Sequence, residues 1–268
     1  QITRPLTLPD NVSVFRARNA HTFRLDKLNV ALHGQSFRDK AVNDNLVPGY
    51  PAPIEGAFNI GVLHTALGGM GPHANYAPCS LPELIAKGYD YWALGHVHQQ
   101  QVLNERPHVV FPGNLQGRHV RETGPKGACL VAVEDGDVIV VLPLAFDVVR
   151  WAVLDVDVAR ASDRAEIVDL MRVALEEASV TCDGRLLAAR IKLTGSTDLH
   201  SRLVTDIEML TAEARSVALG LGDEVAWVEK VSVETKPAAD AAALTGREDT
   251  LGELQRMLKE AAAEDELI

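Results

Sequence analysis

The sequence predicts an α/β protein in three zones, and two observations carry that prediction. Between residues 11 and 149, short apolar runs alternate with Gly and Pro punctuation, as strands buried on both faces do. Between 150 and 235 the period changes to strand, helix, strand, helix, strand, the order of a βαβαβ unit.

In the first zone the strand candidates are 12–16, 28–32, 59–63, 91–94, 109–111, 128–133 and 138–144. A helix is predicted at 81–87, with Ser80 as N-cap and Gly88 closing it. The second zone opens with an alternating strand at 151–156. Residues 163–178 then set Ile167, Leu170, Met171, Ala174, Leu175 and Ala178 on one helical stripe, capped by Ser162 or Asp163. A strand at 187–193 follows. Residues 198–219 repeat the stripe through Leu199, Leu203, Ile207, Leu210, Ala214 and Val217, and 225–233 closes the unit. The third zone starts at Lys236-Pro237 with an Ala-rich linker, after which Leu251, Leu254, Leu258 and Ala261 mark an amphipathic helix over 250–263. Such a helix is marginal on its own in water, so it packs back on the body or docks on a partner. The expected domains are 1–149, 150–236 and 237–268.

Composition bounds the function. The chain has 268 residues with 26 Lys and Arg against 37 Asp and Glu, and its net charge of -11 argues against a protein that coats polyanions without specificity. A local basic groove stays open. Cys79, Cys129 and Cys182 lie far apart with no Cys-x-x-Cys spacing, so a disulfide framework is not expected and a reducing compartment, the cytoplasm, is. No run approaches the roughly 18 apolar residues of a membrane-spanning helix. The first residue is Gln1, with neither a signal core nor a basic presequence after it, which predicts a chain that begins inside a longer protein.

Three stretches carry candidate chemistry. In Tyr91-Trp92-Ala93-Leu94-Gly95-His96-Val97-His98 an apolar strand runs into a glycine and two imidazoles at i and i+2, which an extended chain projects to one side. That suits a metal site, with Mn2+ or Zn2+ as cations that accept neutral imidazole; a surface His pair on an edge strand is the plainer alternative. In Phe58-Asn59-Ile60-Gly61-Val62-Leu63-His64-Thr65 a second apolar strand ends in His, and neighbouring parallel strands would deliver both sets to one sheet edge. The third stretch, Phe111 to His119, holds Gly113 and Gly117 with Asn114, Gln116, Arg118 and His119, which would either line a phosphate-bearing substrate or form a solvated turn. His33 reads as structural. Asp198-Leu199-His200 has metal-site spacing but opens a helix, where Asp198 is more simply a cap or a first-turn acid favoured by the helix dipole.

Gly61-Val62-Leu63-His64-Thr65, the run from Gly88 to His98 and the run from Pro112 to His119 together resemble the later half of a calcineurin-like metallophosphoesterase. More narrowly, they are similar to the SbcD-like DNA-repair exonucleases and their YhaO branch. The resemblance implies an α/β fold made of the C-terminal half of an αββα sandwich, a βαβαβ capping domain that helps to bind DNA, and a C-terminal helix. It also implies two divalent metal ions, most often Mn2+, with His64 and His96 on one and His98 on the other, and Asn114, Gln116, Arg118 and His119 beside them as substrate contacts. The partners it implies are DNA and an SMC-like ATPase of the SbcC type, the latter reached through 250–268, with a homodimer also admitted and no membrane involved. The family's earlier motifs, Asp-x-His, Gly-Asp-x-x-Asp and Gly-Asn-His followed by an acid, are missing here. The chain as written is therefore expected not to complete a two-metal site, and no residue in it is assigned as catalytic. The competing functions are a phosphodiesterase for cyclic nucleotides or small diesters and a non-catalytic scaffold subunit.

Overall fold

The computed structural model describes residues 8–39, 41–69 and 76–238, together with Glu253 and Met257. These form two compact units, one of residues 8–118 and 124–148, the other of His119–Thr123 and the chain from Val149 onward. The fold class is mixed α/β, as the sequence predicts.

The first unit is built on a six-stranded sheet in the order β1-β2-β3-β4-β6-β5, with β1 at His21–Leu25, β2 at Val30–Gly34, β3 at Phe58–His64, β4 at Tyr91–Gly95, β5 at Gln101–Glu105 and β6 at His108–Phe111. The inner strands β2, β3, β4 and β6 run parallel, and the two edges are antiparallel. One short helix, α1 (Leu81–Ala86), links β3 to β4. It starts at a capping box in which Ser80 Oγ accepts from the Glu83 N–H while the Glu83 carboxylate takes the Ser80 N–H. Trp92 is fully buried and donates its indole N–H to the Leu84 carbonyl at 3.0 Å, which fastens α1 to the sheet. Gly61 stands beside it in register on β3, and a Cβ there would lie 2.3 Å from the indole. This close approach is why a glycine interrupts an apolar strand.

His33 lies in the same core. Its Nε2–H donates to Asn59 Oδ1 at 3.0 Å, its Nδ1 pairs with the Thr22 hydroxyl at 2.8 Å and the ring stacks on Tyr89, so it is a satisfied core imidazole. A hairpin, β7 (Gly127–Glu134) and β8 (Asp137–Ala145), forms a separate two-stranded sheet. Asp135 and Gly136, both at positive φ, make its two-residue turn.

The second unit holds β9 (Val149–Asp157), α2 (Arg164–Val180), β10 (Leu186–Thr194), α3 (His200–Thr205), α4 (Ile207–Gly220) and β12 (Ala226–Val233). Two tiny strands, β11 (Ser196–Thr197) and β13 (Lys236–Pro237), pair with each other. The main sheet is parallel in the order β12-β10-β9. The predicted stripes face inward: Ile167, Met171 and Leu175 of α2 and Leu210 and Ala214 of α4 pack with Leu187, Ile191 and Leu193 of β10. Each large aliphatic so buried contributes about 1.5–3 kcal/mol.

Four expectations need correction. Residues 12–16 form no strand; Arg16 makes isolated bonds to His21 and Ser36 rather than a ladder. The strand expected at 28–32 begins at Val30, because 26–28 form a 3-10 turn closed by Asn29 in the left-handed region. The helix expected over 198–219 is two helices, broken at Asp206. Asp198 is exposed and precedes the helix, whose N-cap is Leu199 with no side-chain cap bond and whose first turn holds no acid. Of the helix expected over 250–263, only Glu253 and Met257 are among the described residues, and both are helical. No helix among the described residues is long and apolar enough to cross a membrane.

Candidate metal centre

Parallel pairing of β3 with β4 sets His64 opposite Gly95, so the two strands end level at one edge of the sheet. His64 terminates β3, and His96 follows β4 at once. The rings of His64 and His96 lie 5.3 Å apart, centroid to centroid. Tyr76 stands 5.5 Å from His96 and 6.1 Å from His64, and Phe37 meets His64 edge to face at 5.7 Å. Gly95 is what lets the imidazoles approach, because a Cβ at that position would sit 3.0 Å from His64 Nδ1.

The extended-chain argument for residues 96 and 98 does not hold. His96 has φ 119, a backbone region that favours glycine, and the chain bends directly after β4. Strain of this kind costs about 1–3 kcal/mol and persists only where the surroundings over-determine it. His98 nonetheless comes close enough to act on His64. Burial among the aromatic rings, and then the neighbouring His96 and His98, hold the His64 pKa below its ordinary value. Although part of its surface is open to solvent, His64 is thus kept neutral near pH 7, the form whose lone pair binds a transition metal.

His98 is held in turn by its neighbours. Arg118 Nη2 lies 3.0 Å from His98 Nδ1, and a guanidinium only donates, so that ring nitrogen accepts and the neutral ring carries its proton on Nε2. Lys126 donates to the His98 carbonyl and to Gln99 Oε1, both at 3.3 Å. Gly113 is required here too: it has φ 83, and a Cβ would meet the His98 carbonyl at 3.1 Å.

The loop after β6 divides. Asn114 donates from Nδ2 to the Gln116 carbonyl at 2.8 Å, and Gln116 Oε1 accepts the Val148 N–H at 2.9 Å, so both side chains brace the loop. Arg118 reaches the imidazole edge. His119 belongs to the second unit, where its Nδ1 accepts the Arg121 N–H at 3.3 Å and Nε2 faces Glu122 Oε1 at 3.6 Å. The seat of Arg118 on His98 and the Lys126 support escaped the sequence reading; both are contacts between residues 20 or more positions apart that no spacing rule encodes.

These residues fit the nitrogen-donor part of a divalent-metal centre and do not complete one. Among the described residues no group of three or more His, Cys, Asp or Glu side chains is placed to hold a metal ion. A cation taking His98 through Nδ1 would have to displace Arg118.

Comparison with known proteins gives two matches. Residues 151–236 match the family profile described as the metallophosphoesterase YhaO middle domain. The chain is also 36% identical over 171 residues to the uncharacterized metallophosphoesterase YhaO of Bacillus subtilis (strain 168), an alignment covering 62% of this chain and 42% of the relative. That alignment is longer than the stretch from 151 to the end, so the likeness reaches into the unit that carries the histidines. The match thus covers under half the length of this relative, and what it shows is similarity: over 151–236 the chain resembles the middle domain of the metallophosphoesterase YhaO.

Proposed function

We propose that the protein is part of a metal-dependent DNA-repair nuclease that hydrolyses DNA phosphodiester bonds, with an SMC-like ATPase of the SbcC type as partner, in the cytoplasm. The observation that carries this reading is the meeting of His64 and His96 at one sheet edge, with His98 near enough to lower the His64 pKa, in a chain that also matches the YhaO middle domain. In this reading two divalent ions, Mn2+ in the first instance, supply charge neutralisation at the phosphate and an acidified water. The chain's own residues do the rest. His64, held neutral by its surroundings, offers a lone pair at ordinary pH. Gly95 keeps the edge open. Arg118, the guanidinium on His98, is the group at this edge suited to a phosphate oxygen, since its planar fork matches phosphate geometry. The carboxylates of such a centre are not supplied by the described residues, and the reading assigns them to parts of the protein outside these residues.

The chain's net charge of -11 favours a second reading, a phosphodiesterase for small diesters, which needs no polyanion-binding surface. One assay separates the two. Mn2+-dependent hydrolysis of linear DNA should fall at least about 100-fold in His98→Ala, the upper range for losing a residue that supports a metal site. Turnover of DNA unchanged by His98→Ala overturns the site. Turnover of a small diester lost in the variant, with DNA neither bound nor cut by the wild type at low salt, moves the assignment to the second reading.

A further inference from the structure

We infer that the cavity bounded by the loops after β4 and β6 and by the base of the hairpin β7–β8 is an anion site, built on Lys126 to seat a phosphate group. All of it belongs to the first unit, and its volume is about 270 Å³. Pro112, Pro125, Pro143 and Leu144 make apolar walls, most of them stiffened by a proline ring. Its lining holds the Lys126 ammonium and, among the described residues, no carboxylate.

Lys126 is only 6% exposed. Its Nζ donates to the His98 carbonyl and to Gln99 Oε1, both at 3.3 Å, and among the described residues it has no ion-pair partner. Both acceptors are neutral, and both bonds are longer than N–H donors usually make. An ammonium carries three N–H groups, so one remains beyond these two. A neutral amide would serve the same two bonds without the cost of burying a charge, so the charge is surplus to the task of tying down the loop. A buried charge calls for a partner of opposite sign, and the cavity is where that partner enters. Phosphate is the anion the setting favours. Arg118 lies 3.0 Å from the His98 ring while Lys126 holds the His98 carbonyl, so two cations converge on one residue at the rim of the cavity. A planar guanidinium beside a point-charge ammonium suits the several oxygens of a phosphate. The apolar walls suit the ester side of the group, since ligand pockets pair a mostly apolar lining with few polar anchors. Neither cation needs a metal to act, so the site goes beyond the phosphoesterase reading.

Thermal unfolding of the intact protein in EDTA, with inorganic phosphate against chloride at equal ionic strength, tests the site and leaves the fate of the metal centre aside. Wild type should gain stability as phosphate is added, as a ligand of the folded state confers it. The dissociation constant read from that shift should rise at least about tenfold in Lys126→Met, the lower range for losing a hydrogen bond to a charged group. Leu144→Phe, which keeps Lys126 and fills the cavity, should lose the response as well and carries the test should Lys126→Met fail to fold. A nucleoside 5′-monophosphate run alongside separates the sources of the group: binding tighter than that of inorganic phosphate makes this the seat of a nucleotide's phosphate, and equal or weaker binding makes it a seat for the free anion. Absence of any phosphate-specific stabilisation of the wild type overturns the proposal. So does a response that persists unchanged in either folded variant, because the anion then binds elsewhere.

Discussion

In the second unit two helices lie on one face of three parallel strands, and Ile167, Met171, Leu175, Leu187, Ile191 and Leu210 are all fully buried between them. In the first unit a six-stranded sheet has one helix of six residues, and the hairpin β7–β8 leaves Leu130, Ile139, Val140 and Leu142 largely open. The first arrangement spreads its stability over many interchangeable aliphatic contacts. The other depends on singular residues: a glycine that admits an indole, a buried imidazole with two hydrogen bonds, a serine at a helix start. The candidate site stands in the unit of the second kind, where side chains are fixed by specific polar and steric fits rather than by a stripe.

The largest effect that would sharpen this contrast is Leu210→Ala. Truncating a fully buried leucine should cost about 2–5 kcal/mol in urea unfolding and leave the imidazole edge unchanged. A cost below about 1 kcal/mol would mean the second unit collapses around the cavity, and the contrast in packing would be lost. Next comes Gly61→Ala, which places a methyl 2.3 Å from the Trp92 ring. Overpacking of this sort should cost about 1–3 kcal/mol and shift Trp92 fluorescence; a neutral result would show that β3 and β4 can part at no expense.

The smallest effect is in pH. Burial lowers the His33 pKa below 6.5; the Asn59 hydrogen bond opposes this, and nearby Lys87 adds to it. The unfolded chain then binds more protons than the folded one as pH falls through 6.5, so stability should decline in that direction and be fully regained above it. His64 shifts the same way and adds to the slope. His33→Gln, which cannot titrate, should flatten the decline of the urea midpoint between about pH 7 and pH 5. An unaltered slope would remove His33 from the account.

Much of this architecture is legible in the sequence wherever burial is periodic. The runs at 59–63 and 91–94 are β3 and β4 to within a residue, and the stripe from Ile167 to Ala178 is α2. The edge strands β1, HTFRL, and β5, QVLNE, carry too many polar residues to announce themselves, because an edge buries only part of each face. The break at Asp206 is hidden by a stripe that continues from Leu203 through Ile207 across it. At the site, the level ending of His64 and His96 follows from two similar strands in parallel, which the sequence supports. The seat of Arg118 on His98 depends on how the loop after β6 folds back, and the role of Gln116 as a brace for Val148 depends on a chain segment 32 residues away.

The register of β3 on β4 gives the imidazole edge an arithmetic of its own. Side chains on a strand alternate faces, so inserting one residue between Trp92 and Gly95 would reverse the parity of everything beyond it. With Trp92 still anchored to Leu84, the imidazole-bearing bend would turn to the opposite face of the sheet from His64. Inserting two would restore the face but advance the bend by about 6.6–6.8 Å along the strand, farther than the present spacing of the two rings. The edge is therefore a matter of counting as much as of composition: an even-length change displaces the histidines, and an odd one separates them.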